Sequence, residues 1–240
     1  MSLNFDKIGR NIACIDGGKY AKKIISVYSG DEEDEITKSF SCLKIPSGKF
    51  QQMPDAEKER EILYITGPSG SGKSTYTANY VKEYLKIFKK NKVYIYSALT
   101  EDESLDIIPH KRIRIDDELI TDPLSVEDFM SSLVIFDDID VISNKKHKEV
   151  VYAMLNSILE TGRHYKISCI ITNHMPTAGN ATKRALNECH SVTYFPHSGS
   201  LRALKYLLVE YLGLDKVAMA KIKKSKSRWA TIYKLSLIHI

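Results

Sequence analysis

Glu61-Ile62-Leu63-Tyr64-Ile65-Thr66-Gly67-Pro68-Ser69-Gly70-Ser71-Gly72-Lys73-Ser74-Thr75 is the stretch that decides the fold. Its first six residues form a short apolar run ending at a glycine, which predicts a buried strand. Residues 67–74 match G-x-x-x-x-G-K-[ST] at every position. From Thr75 to Phe88, apolar or aromatic residues recur at Ala78, Val81, Tyr84, Leu85 and Phe88, the spacing of a helix. Strand, glycine loop and helix together are the context in which this pattern cradles phosphate. The glycines let successive N–H groups face an anion, and the helix N-terminus adds its dipole. The expected nucleotide contacts are Gly67, Pro68, Ser69, Gly70, Ser71, Gly72, Lys73, Ser74 and Thr75. Lys73 would reach the β- and γ-phosphates of ATP, and the Ser74 hydroxyl would ligate Mg²⁺.

A second apolar strand follows about 65 positions on, Ser132-Leu133-Val134-Ile135-Phe136-Asp137-Asp138-Ile139-Asp140. It has the Walker B pattern. Asp137, at the strand's C-terminal end, is placed for Mg²⁺. Asp138 is the candidate to polarise an attacking water. A second acid directly after the first suits hydrolysis of ATP by water. Asp140 reads as a cap for the following turn or helix. The next strand pattern, Ile167–Thr172, runs into Asn173-His174. If it lies between the loop strand and the Asp137 strand, Asn173 would face the γ-phosphate. His174 reads as a structural hydrogen-bonder. Arg163, just ahead of that strand, is either an arginine finger for a neighbouring subunit's site or a cation closing a helix C-terminus. Arg184 has the same two readings.

Alternating strand and helix patterns predict an α/β fold with a mostly parallel sheet covered on both sides. The other strand candidates are Lys92–Ser97 and Ser191–Phe195, with Arg228–Leu235 as a last strand. The clearest helix runs from His147 to Glu160, with Gly162 as its C′ residue. Leu201–Leu212 and Leu214–Ile222 also read as helices. Residues 1–60 read as a small β-rich accessory layer, with a hairpin over 11–16 and 22–28, an acidic loop at 30–35, a strand at 39–45 and a polar connector at 46–58. Residues 61–240 read as the ATPase core.

The 240 residues are 43% hydrophobic, enough for a full core, and no run approaches the roughly 18 apolar residues of a membrane span. The N-terminus lacks a basic-then-apolar signal. Cys14, Cys42, Cys169 and Cys189 are scattered without a C-x-x-C pair, and Cys169 lies inside a strand pattern. Both observations predict a reducing, intracellular setting. The net charge is +5, yet residues 201–240 alone carry +7, from nine lysines and arginines against Glu210 and Asp215. Such a tail is either a polyanion contact or a solvated face. Trp229 and Tyr233 in the last strand pattern read as core.

The ordered set GPSGSGKS at 67–74, LVIFDDID at 133–140, TGRHYKISCIITNH at 161–174 and KRALNE at 183–188 resembles the viral genome-packaging ATPases of the FtsK–HerA superfamily, the poxvirus-like kind of large double-stranded DNA viruses and virophages. The resemblance spans roughly 61–235. It implies a RecA-like P-loop core of the ASCE kind and a homo-oligomeric ring, pentamer or hexamer. It also implies ATP-driven movement of double-stranded DNA into a capsid, with a capsid or vertex protein as a further partner, in the host cytoplasm, a virus factory or the virion. It assigns Lys73 and Ser74 to the nucleotide and Asp137 to Mg²⁺. Asp138 falls where relatives commonly carry Glu, Asn173 where many carry Gln, and Arg163 in the segment that supplies a trans finger. In this reading the basic run Lys221–Arg228 meets DNA phosphates in the channel or flanks an interface. Two other readings compete: a small-molecule or nucleoside kinase, since GPSGSGKST occurs in such enzymes, and a slow nucleotide-gated scaffold.

Overall fold

Strands buried on both faces of a parallel sheet must be apolar throughout, and the runs picked out in the sequence are of that kind. The computed structural model describes residues 7–14, 24–29, 54, 58–176, 179–224 and 227–234. The loop strand is β3 (Ile62–Thr66), and every one of its residues is buried. Helix α1 (Lys73–Ile87) follows the glycine loop. The main sheet continues with β4 (Lys92–Ser97), β5 (Lys111–Ile113), β6 (Ser132–Asp137), β7 (Ser168–Asn173), β8 (Ser191–Tyr194) and β9 (Ala230–Tyr233). Spatial order is β5-β4-β6-β7-β3-β8-β9. All neighbours are parallel except β9, which runs antiparallel to β8. The chain therefore leaves β3 toward one edge, returns through β6 and β7, and crosses to the other side at β8. Ligands of open parallel sheets bind at such a reversal, beyond the strands' C-terminal ends.

Two cores sandwich the sheet. On one face Ala78, Val81 and Tyr84 of α1 pack on Leu63, Ile65, Ile95, Ile135 and Ile170. On the other, Val151, Leu155, Ile158 and Leu159 of α3 (Lys145–Thr161) pack on Tyr64, Val134, Phe136 and Ile171. That face is completed by Ala185 and Leu186 of α4 (Gly179–Glu188). Each buried Val, Leu, Ile or Phe here contributes about 1.5–3 kcal/mol by leaving water. A short helix, α2 (Asp117–Thr121), lies between β5 and β6; the local pattern there gave no signal for either α2 or β5.

Residues 201–212, expected as one helix, are α5 (Leu201–Lys205) running into a π-helical turn at Tyr206–Tyr211. Helix α6 spans Lys216–Lys224. Gly162 does not take the left-handed C′ conformation expected of it. It is helical at φ −58, and a Cβ there would strike the Ile158 carbonyl and approach Arg60. Arg60 closes α3 instead: its Nη2 donates to the carbonyls of Ile158 at 2.6 Å and Leu159 at 3.1 Å. A cation at a helix C-terminus also gains from the dipole. Asp140 caps nothing; the N-cap of α3 is Asn144, whose side chain accepts from Lys146 and His147.

The N-terminal hairpin forms as β1 (Lys7–Cys14) and β2 (Ile24–Ser29), a separate antiparallel pair. The acidic loop at 30–35, the strand at 39–45, most of the connector at 46–58 and the final residues 235–240 lie outside the described residues. Cys169 and Cys189 are free and buried, and burial pushes their thiols up to about 12 and about 11.

Candidate active site

The glycine loop is shaped by close approach. A Cβ on Gly67 would lie 2.7 Å from Ser71 Oγ and 2.8 Å from Phe195 Cδ2, so no larger residue fits without opening the loop. Gly72 has φ +105, a conformation that side chains resist, and caps α1. Ser74 and Thr75 stand in the first turn of that helix, which carries no acidic residue. Ser71 Oγ is buried without a hydrogen-bond partner, as a group reserved for a ligand would be.

Lys73 is buried, and three groups converge on its ammonium. Its Nζ donates to the Gly67 carbonyl at 3.1 Å and to His174 Nδ1 at 3.2 Å, and pairs with Asp138 Oδ2 at 3.4 Å. His174 Nε2 in turn meets the same Asp138 oxygen at 3.1 Å. An ammonium can only donate, so these partners fix His174 as the tautomer protonated on Nε2. His174, expected to be structural, thus bridges the loop lysine and the candidate catalytic acid.

Asp137 is 2% exposed, and its two oxygens accept from Thr172 Oγ1 at 2.9 Å and Ser97 Oγ at 3.3 Å. Burial first, and the Asp138 charge second, push its acid up from the ordinary carboxylate range. A buried acid beside a second acid is stabilised by a cation. Ser74 and Asp137 offer the hard oxygens that Mg²⁺ favours and are the residues that would hold it. Among the described residues no cluster of three or more His, Cys, Asp or Glu forms a self-sufficient metal cage.

Thr172 was missed by sequence reasoning. Its hydroxyl accepts from the Asp138 amide at 2.9 Å while donating to Asp137, so it holds both carboxylates. It keeps Asp138 in a left-handed turn at φ 43, unusual for a residue with a side chain. The expected position of β7 between β3 and β6 is found, but the strand's parity differs from expectation. Cys169 and Ile171 face α3, and Asn173 follows them. Asn173 Nδ2 donates to Tyr64 Oη at 3.2 Å on that same face, away from α1 and the carboxylate pair. Thr172, one residue earlier, occupies the polar position next to Asp137. Strand alternation thus sets the Asn173 amide nitrogen toward Tyr64, while its Oδ1 is buried without a hydrogen-bond partner.

Arg163 lies ahead of the N-terminal end of β7, at the opposite end of the sheet from the glycine loop. It lines a cleft of about 400 Å³ with Lys58, Glu59, Arg60 and His190. Six strand residues at about 3.3 Å each put it roughly 20 Å from the phosphate loop of its own chain. Arg163 is exposed and has no ion pair among the described residues. Arg184 is engaged on the surface, with its Nη1 2.9 Å from Glu160. Tyr233 is a core residue as expected, 8% exposed, while Trp229 is partly buried against the core and meets the Tyr76 ring edge-on at 5.6 Å.

The sheet order, glycine loop and paired carboxylates define a P-loop ATPase fold of the RecA-like ASCE kind. No family model matches the chain. The uncharacterized protein V3 of Sputnik virophage is 42% identical over 234 residues, covering 97% of this chain and 92% of V3. The genome packaging NTPase B204 of Sulfolobus turreted icosahedral virus 2, solved with ATP-gammaS, aligns at 16% identity and a TM-score of 0.52 over 75% of this chain and 95% of its own. The DNA-packaging ATPase B204 of Sulfolobus turreted icosahedral virus aligns at 15% identity and 0.51, over 75% and 95%. The chain belongs to the family of the virophage protein V3. None of its described helices is long and apolar enough to cross a membrane.

Proposed function

We propose that this chain hydrolyses ATP with Mg²⁺ inside a homo-oligomeric ring, pentamer or hexamer, and uses the energy to drive viral double-stranded DNA into a capsid. The observation that carries the reading is the contact of Asp138 with both Lys73 and His174 at the mouth of the phosphate loop, at 3.4 and 3.1 Å. A nucleotide γ-phosphate gives Lys73 a doubly charged partner and frees the Asp138 carboxylate. Asp138 then accepts the proton of a water attacking that phosphate, with His174 orienting the acid. Mg²⁺, held by Ser74 and Asp137, would neutralise charge on the phosphates. Within the loop 67–75 the triphosphate would be bound through the free backbone amides, Pro68 having none and those of Gly67 and Ser71 donating to the Asn173 and Pro68 carbonyls.

Arg163 acts in trans. Its distance from its own loop leaves a neighbouring subunit's site as its target, and its lack of an ion pair among the described residues favours it over Arg184. The structurally similar B204 is a DNA-packaging ATPase, and +7 in the last 40 residues of this chain suits a sequence-independent phosphate contact. The kinase reading loses support, because Arg112 is tied to Asp106 at 2.6 Å rather than free to close over a substrate. The test is steady-state ATPase with and without double-stranded DNA, for wild type, Lys73→Ala and Arg163→Ala at ring-forming concentration. Stimulation by DNA that both substitutions abolish is expected. No effect of DNA together with a silent Arg163→Ala refutes the motor, and a phosphorylated small-molecule product would restore the kinase.

A further inference from the structure

Arg228 was grouped with the DNA-facing basic run, yet the structure sets it beside the phosphate loop. A methyl group on Gly72 would lie 3.9 Å from Arg228 Nη2 and 3.6 Å from Phe195 Cε1. The antiparallel return of β9 along β8 brings the residues ahead of Ala230 to the end of the sheet where the loop sits. Their position is fastened from two sides. Trp229 packs edge-on against Tyr76 of α1, and Tyr76 Oη lies 3.3 Å from Thr231 Oγ1.

The placement is electrostatically odd. Arg228 is exposed and has no acidic partner among the described residues. It stands at the positive end of a helix dipole whose first turn has no acid, one residue from the buried Lys73. A second cation beside Lys73 at a helix N-terminus, without an acid of its own, makes the loop more favourable to an anion. Geometry then selects which part of the anion. The hydrolytic carboxylates lie on the β6 and β7 side of β3, so the γ-phosphate points that way. The nucleoside end must extend to the opposite flank, over β8, where Phe195, Arg228 and the Pro68–Gly199 contact are found; a Cβ on Gly199 would lie 3.2 Å from Pro68 Cδ.

We propose that Arg228 is a cis binding residue for the nucleoside-side phosphate of the nucleotide, and so couples the residues Ser227–Trp229 leading into β9 to nucleotide occupancy. The inference rests on the reading of the loop as a nucleotide site. The test measures dissociation constants of ATP and ADP for wild type, Arg228→Ala and Arg228→Lys at fixed salt, with thermal midpoints as a folding control. Loss of a charge-assisted contact predicts weakening by about ten- to a hundred-fold for both nucleotides in Arg228→Ala, with partial recovery in Arg228→Lys. An ATP analogue with sulfur on the α-phosphate should bind wild type less well than ATP, while Arg228→Ala should show little difference between the two, because both changes remove one contact. Unchanged nucleotide affinity with weakened binding of double-stranded DNA overturns the assignment and returns Arg228 to the DNA face. Failure of wild type to bind any nucleotide overturns the site reading itself.

Discussion

Thr172→Val removes one hydroxyl while keeping the side chain's shape. That hydroxyl is wholly buried, with Asp137 Oδ1 and the Asp138 amide each 2.9 Å away. Losing a hydrogen bond to a charged group costs about 1.5–3 kcal/mol, and orphaning a buried N–H costs about 1–3 kcal/mol. The Asp138 backbone, at φ 43, then relaxes from a conformation that costs roughly 1–2 kcal/mol. The net loss is about 3 kcal/mol, or about 10 °C in melting temperature for a domain of this size. Relaxation also swings the Asp138 carboxylate away from Lys73 and His174, and a shift near 1 Å at such a group costs about a hundred-fold in kcat. Thr172→Ser keeps the hydroxyl and loses only a methyl, about 1 kcal/mol, with kcat within a few-fold of wild type. The assay is single-turnover ATP hydrolysis alongside thermal melts of both variants. Equal kcat for the valine and serine forms would show that the hydroxyl does not organise the acids.

Asp138→Asn removes the second cause of the raised Asp137 acid, leaving burial. Mg²⁺-dependent ATP binding needs ionised Asp137 and is lost as pH falls through its pKa. The acid limb of binding should therefore move to lower pH in Asp138→Asn, measured by titration calorimetry with and without Mg²⁺; superimposed profiles would refute the coupling. His190 is pushed down from 6.5 to about 4, by burial first and then by Arg60, Lys58 and Lys234. Its neutral ring accepts from the Ile62 amide at 3.2 Å. With the folded pKa below the unfolded one, stability is full above about pH 6.5 and declines as pH falls toward 4. Partial exposure limits the loss to about 1–2 kcal/mol. His190→Asn, which retains the acceptor, should abolish this part of the pH dependence in denaturant melts at pH 7 and 4.5. An unchanged slope would place His190 in solvent.

What the sequence made legible was whatever depends on local pattern. Unbroken apolar runs gave β3, β4, β6, β7 and β8 within a residue or so, and the spacing of Val151, Leu155 and Ile158 gave α3. The glycine loop and the carboxylate pair were equally plain. What it hid depends on parity and on return paths. Asn173 and Thr172 are both polar and adjacent, and only the pairing of Ile65 with Thr172 and of Phe136 with Ile171 decides which of them faces Asp137. That Ile170 and Thr172 share a face with the buried Ile65 was available in principle from alternation, had the face of β6 been anchored on Asp137. Arg228 could not be found this way, because an antiparallel edge strand carries it some 155 positions back to Gly72. His174 fell to the general rule that a lone histidine is structural, although a histidine two residues past Thr172 has the same parity.

The two ends of the sheet have consequences for assembly. One end carries the phosphate loop, the carboxylates and Arg228, and the other carries Arg163 in its cationic cleft. A chain whose complementary parts lie at opposite ends joins head to tail, and head-to-tail contacts close into rings when the rotation allows. On the proposed reading each working site then takes Lys73 from one subunit and Arg163 from the next. Lys73→Ala and Arg163→Ala are each inactive alone, yet a mixed ring contains interfaces where an intact loop faces an intact arginine. In an equal mixture half the loops are intact, and half of their neighbours supply the arginine. About a quarter of the sites should be whole, and a quarter of wild-type ATPase should return if sites fire independently. A mixture that stays inactive while forming mixed rings means that sites fire only in concert around the ring. Arg163→Ala that is active alone would remove the arginine from the site, whatever the ring's geometry.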